Sequence, residues 1–217
     1  MGLENYALVC VYFTLFGTAV CRKHVLKMLT YSTNPFPVLE TERLMLREMT
    51  LADAVAFFQI RGNEKAMKYL DRPLATTVLD AIALIEKRVA MEISQTGLGW
   101  AITLKTTGEM IGDMGFYRLD RENYKSEIGY IFNPDFWLKG YGTEALKAVL
   151  KFGFEILKLN KIEADINPEN LASIQLVLKS GFKKEAHLRE NLLFEGKFLD
   201  SLIFGLLKED WQKNQIV

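Results

Sequence analysis

Two glycines, Gly140 and Gly142, stand directly before an apolar, helix-like segment in the run WLKGYGTEA, residues 137–145. Glycine lets the backbone turn its N–H groups toward a ligand and lets that ligand approach closely. The start of a helix adds unpaired N–H groups and a partial positive charge, and Lys139 adds a full one. The run therefore predicts a pyrophosphate-binding loop. A plain loop ahead of a core helix is the alternative.

The same run fits the dinucleotide pattern G-x-G-x-x-A, and Glu163 follows about 20 residues later, as that pattern requires. The dinucleotide pattern must directly follow a strand, whereas the polar segment Asn133-Pro134-Asp135 precedes this run. The sequence also lacks G-K-S or G-K-T. A Rossmann site and a P-loop are therefore both rejected.

Cysteine and histidine are too scarce for several other chemistries. The only cysteines are Cys10 and Cys21, and the only histidines are His24 and His187. A disulfide framework, a cysteine nucleophile after residue 21 and a His-rich zinc site are therefore not expected. We predict no metal site, so carboxylates, hydroxyls and backbone groups must carry the chemistry.

The overall composition is that of an ordinary globular chain. The 217 residues are 49% apolar and 25% charged, which excludes global disorder. The 27 basic and 27 acidic residues give a net charge of zero. This balance argues against a nucleic-acid partner bound by bulk positive charge.

The first 37 residues are predicted to be an N-terminal extension of unclear role. Residues 5–20 carry no charge, yet this apolar run is shorter than the roughly 20 residues of a spanning helix and lacks the positive lead of a secretory signal. It could be an extra strand or helix, a membrane anchor, or sequence upstream of a natural start at Met28. We expect a cytoplasmic protein without a membrane partner.

Periodicity and turn residues predict one mixed sheet with helices on both faces. The predicted strands cover residues 43–47, 100–104, 110–117, 126–132, 161–166, 187–194 and 200–206. The predicted helices cover residues 54–60, 77–94, 143–157 and 170–179. Gly97 and Gly99 are expected to end the second helix, whose apolar side would be Ile82, Leu84, Ile85, Val89 and Ile93. Arg43 and Arg47 are interpreted as a solvated face of the first strand, with contact to the substrate as the alternative.

Five ordered motifs resemble one known family. They are TERLMLR (residues 41–47), IGDMGF (111–116), EIGY (127–130), the glycine loop, and NLAS (170–173) with Gly181-Phe182. Together they are similar to the GCN5-related N-acetyltransferases, in the branch of the ribosomal-protein N-terminal acetyltransferases. The resemblance covers residues 38–213 and implies an α/β acyltransferase fold, with a mixed, mostly antiparallel sheet between helices. Leu138 departs from the branch, which often has glycine there.

The resemblance implies that acetyl-CoA is the co-substrate. Its pyrophosphate would lie on Leu138, Lys139, Gly140, Tyr141, Gly142 and Thr143. Its pantetheine arm would lie along Tyr130, Ile131, Phe132 and Asn133, between two splayed parallel strands. Asn170 and Ser173 would face the arm and the sulfur.

Direct attack of an amine on the thioester is the expected reaction, because the predicted domain has no cysteine. A backbone N–H near Ile131 or Phe132 would hold the oxyanion. Ser173 is the candidate for assisting the leaving thiolate, or else a polar residue of the first helical turn. Glu127 and Glu190 are candidate bases. Their alternatives are a carboxylate in an ion pair and an exposed strand residue.

The leading functional hypothesis is acetyl transfer to a primary amine such as a protein N-terminus. Small amines (a polyamine, an antibiotic or a metabolite) are the second hypothesis, and a non-catalytic acyl-CoA-binding module is the third. A homodimer through the C-terminal strands or the apolar N-terminus is also considered.

Overall fold

The computed structural model describes residues 6–15, 18–27 and 29–214, with side chains described from residue 29. The strands are β1 (Tyr6–Leu15), β2 (Thr18–Lys27), β3 (Leu39–Glu40), β4 (Leu44–Arg47), β5 (Leu98–Leu104), β6 (Met110–Asp120), β7 (Lys125–Phe132), β8 (Lys161–Ile166), β9 (Lys183–Phe194) and β10 (Lys197–Leu207). The helices are α1 (Ala54–Arg61), α2 (Glu64–Met67), α3 (Val78–Ile93), α4 (Tyr141–Glu155), α5 (Leu171–Lys179) and α6 (Lys208–Asn214).

The N-terminal run pairs as an antiparallel hairpin, with Tyr6 opposite Lys27 and Leu15 opposite Thr18. This backbone is a strand pair rather than a helix. Met28, the natural start in one of the three readings, lies outside the described residues. The division into an extension and a domain at residues 37 and 38 stays a prediction.

Eight strands form one open sheet in the order β3-β4-β5-β6-β7-β8-β10-β9. Every neighbouring pair is antiparallel except β7 and β8, which are parallel because α4 carries the chain between them. The predicted fold, a mixed and mostly antiparallel sheet with helices on both faces, is confirmed. β9 is an edge strand and exposes Leu188, Leu192 and Leu193.

The two faces of the sheet carry different cores. On one face, α4 and α5 pack over buried residues such as Trp100, Phe116 and Ile162. On the other, α1, α2 and α3 pack over a smaller core that includes Ala101 and Ile131. Both faces of β5 are therefore buried, which explains why its sequence reads as a continuous apolar run.

Helix α3 has the predicted length, but its buried side differs from the predicted one. It buries Ala81, Ile85, Arg88 and Glu92, while Val89 and Ile93 are exposed. The two charged residues are buried because they meet polar groups of the sheet beneath them.

The two glycines expected to end α3 have other roles. The helix ends at Ile93 with Ser94 as its cap, and Gln95 takes the left-handed backbone conformation that turns the chain. Gly99 lies inside β5, where a Cβ atom would overlap the guanidinium of Arg88. This glycine therefore makes room for a buried charge.

Gly115 marks the closest approach of β5 to β6, and its replacement tests the sheet. A Cβ atom there would lie 2.6 Å from the Leu98 carbonyl oxygen and 2.7 Å from the Gly99 Cα, both backbone atoms that cannot rotate away. We expect Gly115→Ala to lower the free energy of unfolding by about 1–3 kcal/mol in denaturant titration. An unchanged midpoint would contradict this packing.

Candidate active site

The parallel strands β7 and β8 part after three residue pairs. Lys125, Ser126 and Glu127 lie opposite Lys161, Ile162 and Glu163, and no pairing follows. On its other side, β7 stays paired with β6 as far as Phe132. The edge of β7 from Ile128 to Phe132 that faces β8 is therefore free to bond an extended ligand as a missing strand would. This divergence is the splay that the resemblance implies, and Tyr130, Ile131 and Phe132 lie along it.

The glycine loop opens α4 with a row of unpaired donors. Gly140 is the cap residue with φ 83°, and Leu138 has φ 60°, a conformation that favours glycine. The backbone N–H groups of Leu138, Lys139, Gly140, Tyr141, Gly142 and Thr143 have no acceptor among the described residues. Six free donors at the positive end of a 15-residue helix suit a pyrophosphate, as the sequence predicts.

Glu144 fixes this loop to the start of β4. Its carboxylate accepts hydrogen bonds from the Thr41 hydroxyl at 2.5 Å, the Arg43 N–H at 2.8 Å and the Arg43 Nε at 2.7 Å. Arg43 also donates to the Lys139 carbonyl oxygen at 3.0 Å and stacks 4.4 Å above the Tyr141 ring. These contacts, the loop clamp, hold the loop from the side.

Arg43 is exposed and Arg47 is half-buried, as expected of a solvated face, but both residues also form specific contacts. Arg43 belongs to the loop clamp, and Arg47 forms an ion pair with the buried Asp53 at 2.7 Å. The signal for Arg43 was already in the TERLMLR motif, which carried the resemblance without any assigned role.

Side chains around the loop entrance tie it to β7. The Trp137 indole donates to the Phe132 carbonyl oxygen at 3.0 Å. The Asn133 side chain caps the following turn by accepting from the Asp135 N–H at 3.1 Å. The Lys139 ammonium lies 5.3 Å from the centre of the Phe136 ring. Asn133 thus uses its side-chain oxygen to shape the chain.

Ser173 and Tyr130 lie near each other, beside the diverging part of β7. Asn170 caps α5 by accepting the Ser173 N–H at 3.1 Å, which orients the first turn as predicted. Burial raises the pKa of Tyr130 to about 12, partly opposed by the nearby Ser173 hydroxyl. The Tyr130 hydroxyl lies near the Ser173 hydroxyl but outside hydrogen-bonding geometry, and it has no other partner among the described residues. Two polar hydroxyls thus lie beside the strand edge that faces the splay.

Glu127 lies at the point where the strands diverge. Its carboxylate is 2.6 Å from the Arg118 guanidinium, so the expected alternative of an ion pair is present. Burial raises the pKa of Glu127, although the Arg118 charge opposes the rise. The carboxylate is 22% exposed, and this leaves it open to a proton donor.

Glu190 is placed far from that point. It lies on β9, three strand spacings from β7, or about 14 Å across the sheet. It is exposed, has φ 51°, and donates its N–H to Asp200 at 2.9 Å. Tyr130, Glu127 and Ser173 therefore surround the splay, whereas Glu190 lies outside that group.

Residues 43–183 match the family model described as an acetyltransferase (GNAT) domain. The chain is 35% identical over 173 residues to the uncharacterized N-acetyltransferase YoaA of Bacillus subtilis, which covers 80% of this chain and 98% of YoaA. The chain belongs to the GNAT acetyltransferases. It is also 31% identical to YdaF of Bacillus subtilis, by its name a candidate ribosomal N-acetyltransferase, over 48% of this chain and 57% of YdaF.

Solved structures of this family share the fold. A GNAT acetyltransferase from Bacillus anthracis superposes with a TM-score of 0.72 at 26% identity, covering 80% of this chain and 99% of that one. Spermidine N-acetyltransferase from Vibrio cholerae, solved with CoA and spermine, gives 0.71 at 20% identity, covering 79% and 99%. The resemblance stated from the motifs is thereby confirmed.

Two further properties concern the described residues of this GNAT chain. None of its helices is long and apolar enough to cross a membrane. Within the same residues, no three His, Cys, Asp or Glu side chains are grouped so that they could hold a metal ion.

Removing the Glu144 carboxylate tests the loop clamp. Glu144→Ala leaves the Thr41 and Arg43 donors without their acceptor, so we expect a loss of about 1–2 kcal/mol in the free energy of unfolding. Glu155→Ala, at an exposed residue in the last turn of the same helix, is the matched control and should cost little. Equal losses in the two variants would contradict the clamp.

The pH dependence of that loss follows from the carboxylate. Partial burial raises the pKa of Glu144, but hydrogen bonds from Thr41 and Arg43 outweigh it and leave the pKa lowered. A carboxyl whose pKa is lower in the folded state stabilises the protein at pH values above its unfolded-state pKa. This stabilisation is lost as the pH falls through the folded-state pKa. The difference between wild type and Glu144→Ala should therefore shrink as the pH falls below about 4.5.

Proposed function

We propose that this chain transfers the acetyl group of acetyl-CoA directly to a primary amine, such as a protein N-terminus. The observation that carries the proposal is the splay of β7 and β8 next to six unpaired N–H groups at the start of α4. The splay suits the extended pantetheine arm, and the helix start suits the pyrophosphate. CoA release from acetyl-CoA on addition of an amine tests this. Absence of acetyl-CoA binding by calorimetry would end it.

In this reaction the amine nitrogen attacks the thioester carbonyl carbon, so a C–N bond forms and the C–S bond breaks. The amine must lose a proton, and the thiolate must gain one. A backbone N–H of the splayed strand near Ile131 or Phe132 would hold the oxyanion. Ser173, at the start of α5, would donate a hydrogen bond to the sulfur. This help is modest, because a thiol has a pKa of about 8.5.

Glu127 is the better placed of the two candidate bases. It lies where the strands diverge, and burial raises its pKa, which makes it a stronger base than an exposed carboxylate. Glu190 remains a second candidate, although it lies on the edge strand β9. The amine proton would pass to Glu127 directly or through a water molecule.

Removing the carboxylates tests their role. We expect Glu127→Gln with Glu190→Gln to lower kcat at least about 10²-fold, the usual size of a general-base contribution. In wild type, kcat should rise with pH as Glu127 ionises, at a pKa raised above 4.5. This rise should be absent from the pH profile of Glu127→Gln. Full activity of the double variant would exclude both residues as bases.

The kinetic order tests direct transfer. No cysteine follows Cys21, so we expect no acetyl-enzyme intermediate. Initial rates measured against both substrates should give intersecting lines, and mass spectrometry should find no acetylated protein after incubation with acetyl-CoA alone. Parallel lines, which indicate a ping-pong mechanism, would contradict this.

A small amine is the second candidate acceptor. The spermidine N-acetyltransferase from Vibrio cholerae shares the fold, and its structure contains spermine. Parallel assays with short peptides and with polyamines separate the two candidates.

A further inference from the structure

Three arginines lie close together on the face of the sheet covered by α1, α2 and α3. Arg61 ends α1, Arg72 follows α2, and Arg88 belongs to α3. Burial lowers the pKa of Arg61, and the Arg72 and Arg88 charges add to that fall, although the Asp113 carboxylate opposes it. The three guanidinium groups thus repel one another across a small region.

Arg88 is paired with an acidic residue of this region. It forms a buried ion pair with Asp113 and donates to the Tyr117 hydroxyl at 2.9 Å. Burial raises the pKa of the neighbouring Glu92 to about 7, so its carboxyl is only partly ionised at neutral pH. The Asp113 carboxylate therefore attracts both Arg61 and Arg88, but it forms its ion pair with Arg88.

Arg61 is left without a partner. It is 8% exposed, and its guanidinium forms no hydrogen bond or ion pair with the residues that the structure describes. The Nη1 of Arg88 is likewise buried and unpaired. Burying a charge without a partner is costly, and proteins normally avoid it. An anion with oxygen acceptors would relieve that cost.

This region adjoins the place where the amine must react. The Arg72 charge acts both on Arg61 and on Glu127, at the mouth of the splay. Tyr117, which accepts from Arg88, is the register partner of Glu127 and covers Gly129. An acceptor bound next to Glu127 is therefore close enough to feel the positive charge of these arginines.

Given the acetyl transfer proposed above, we propose that the acceptor amine also carries an anionic oxygen group, carboxylate or phosphate, which binds Arg61 and Arg72. Guanidinium groups bind such groups by paired, charge-assisted hydrogen bonds. An acceptor with positive charges alone would meet the unpaired arginines and be repelled. This inference therefore disfavours a polyamine.

Matched acceptors test the inference. The panel contains α-amino acids with their α-amides, phosphoethanolamine with ethanolamine, and short peptides with Glu or Gln at the second position. We expect kcat/KM for the anionic member of at least one pair to exceed that of its neutral partner about 10-fold or more. The preferred pair identifies whether the anion is a free carboxylate, a phosphate or an acidic peptide side chain.

Arg61→Met tests the assigned residue. It should raise KM for the anionic acceptor at least about 10-fold and abolish the preference within the pair, with KM for acetyl-CoA unchanged. Because it removes an unpaired buried charge, thermal stability should hold or rise. Arg121→Met, in the β6–β7 turn, is the control and should keep the preference.

A binding measurement with acetyl-CoA distinguishes failure of the anionic-acceptor inference from failure of the acetyltransferase proposal. If acetyl-CoA binds but neutral and anionic acceptors react equally, or none of the anionic acceptors reacts or stabilises the CoA complex in thermal shift, the inference is overturned and the acetyltransferase proposal stands. If acetyl-CoA does not bind, both are overturned. A preference that persists in Arg61→Met would also overturn the assignment of Arg61.

Discussion

Beyond Glu127 and Glu163, two neighbouring parallel strands stop sharing hydrogen bonds, and their facing backbone groups must bond to something else. The gap stays open because each strand is held from its far side. β6 pairs with β7 as far as Phe132, and β10 pairs with β8 along its whole length. The chain crosses between them through α4, which begins at the glycine loop. A strand-like slot and a helix start whose free N–H groups suit an anion are therefore adjacent by topology.

Strand pairing does not support the glycine loop, because the loop lies beyond the end of β7. Its support comes from a distant part of the chain, because the Arg43 N–H that bonds Glu144 is 101 residues away in sequence. Arg43 reaches the Lys139 carbonyl oxygen as well, and this leaves the loop N–H groups free to face a ligand. Leu138 has a backbone conformation that favours glycine. The contacts that hold the loop offset the cost of this strained conformation.

Local patterns predicted the strands and the long helices because their apolar periodicity and turn residues are encoded within a few residues. The cap at Asn170 and the strand at Lys161–Ile166 are examples. Contacts between distant segments could not be read in this way. The buried side of α3 was wrong because Arg88 and Glu92 are stabilised by Asp113 and Gly99, on strands that follow the helix. The hydrogen bonds of Arg43 to Glu144 and Lys139 could not be predicted for the same reason.

The two faces of the sheet differ in a way that suits two unlike ligands. The α4 face is packed with aromatic and aliphatic side chains, and backbone donors at one helix end lie beside them. The opposite face has glycines at positions 99, 115 and 129, aligned across three strands, and these leave room for the Arg88 guanidinium and the Tyr117 ring. Side-chain charge is therefore concentrated on the second face. Backbone groups are enough to hold a cofactor that many enzymes share, whereas discrimination between acceptors requires side chains. In this chain the charged side chains lie near the gap between β7 and β8.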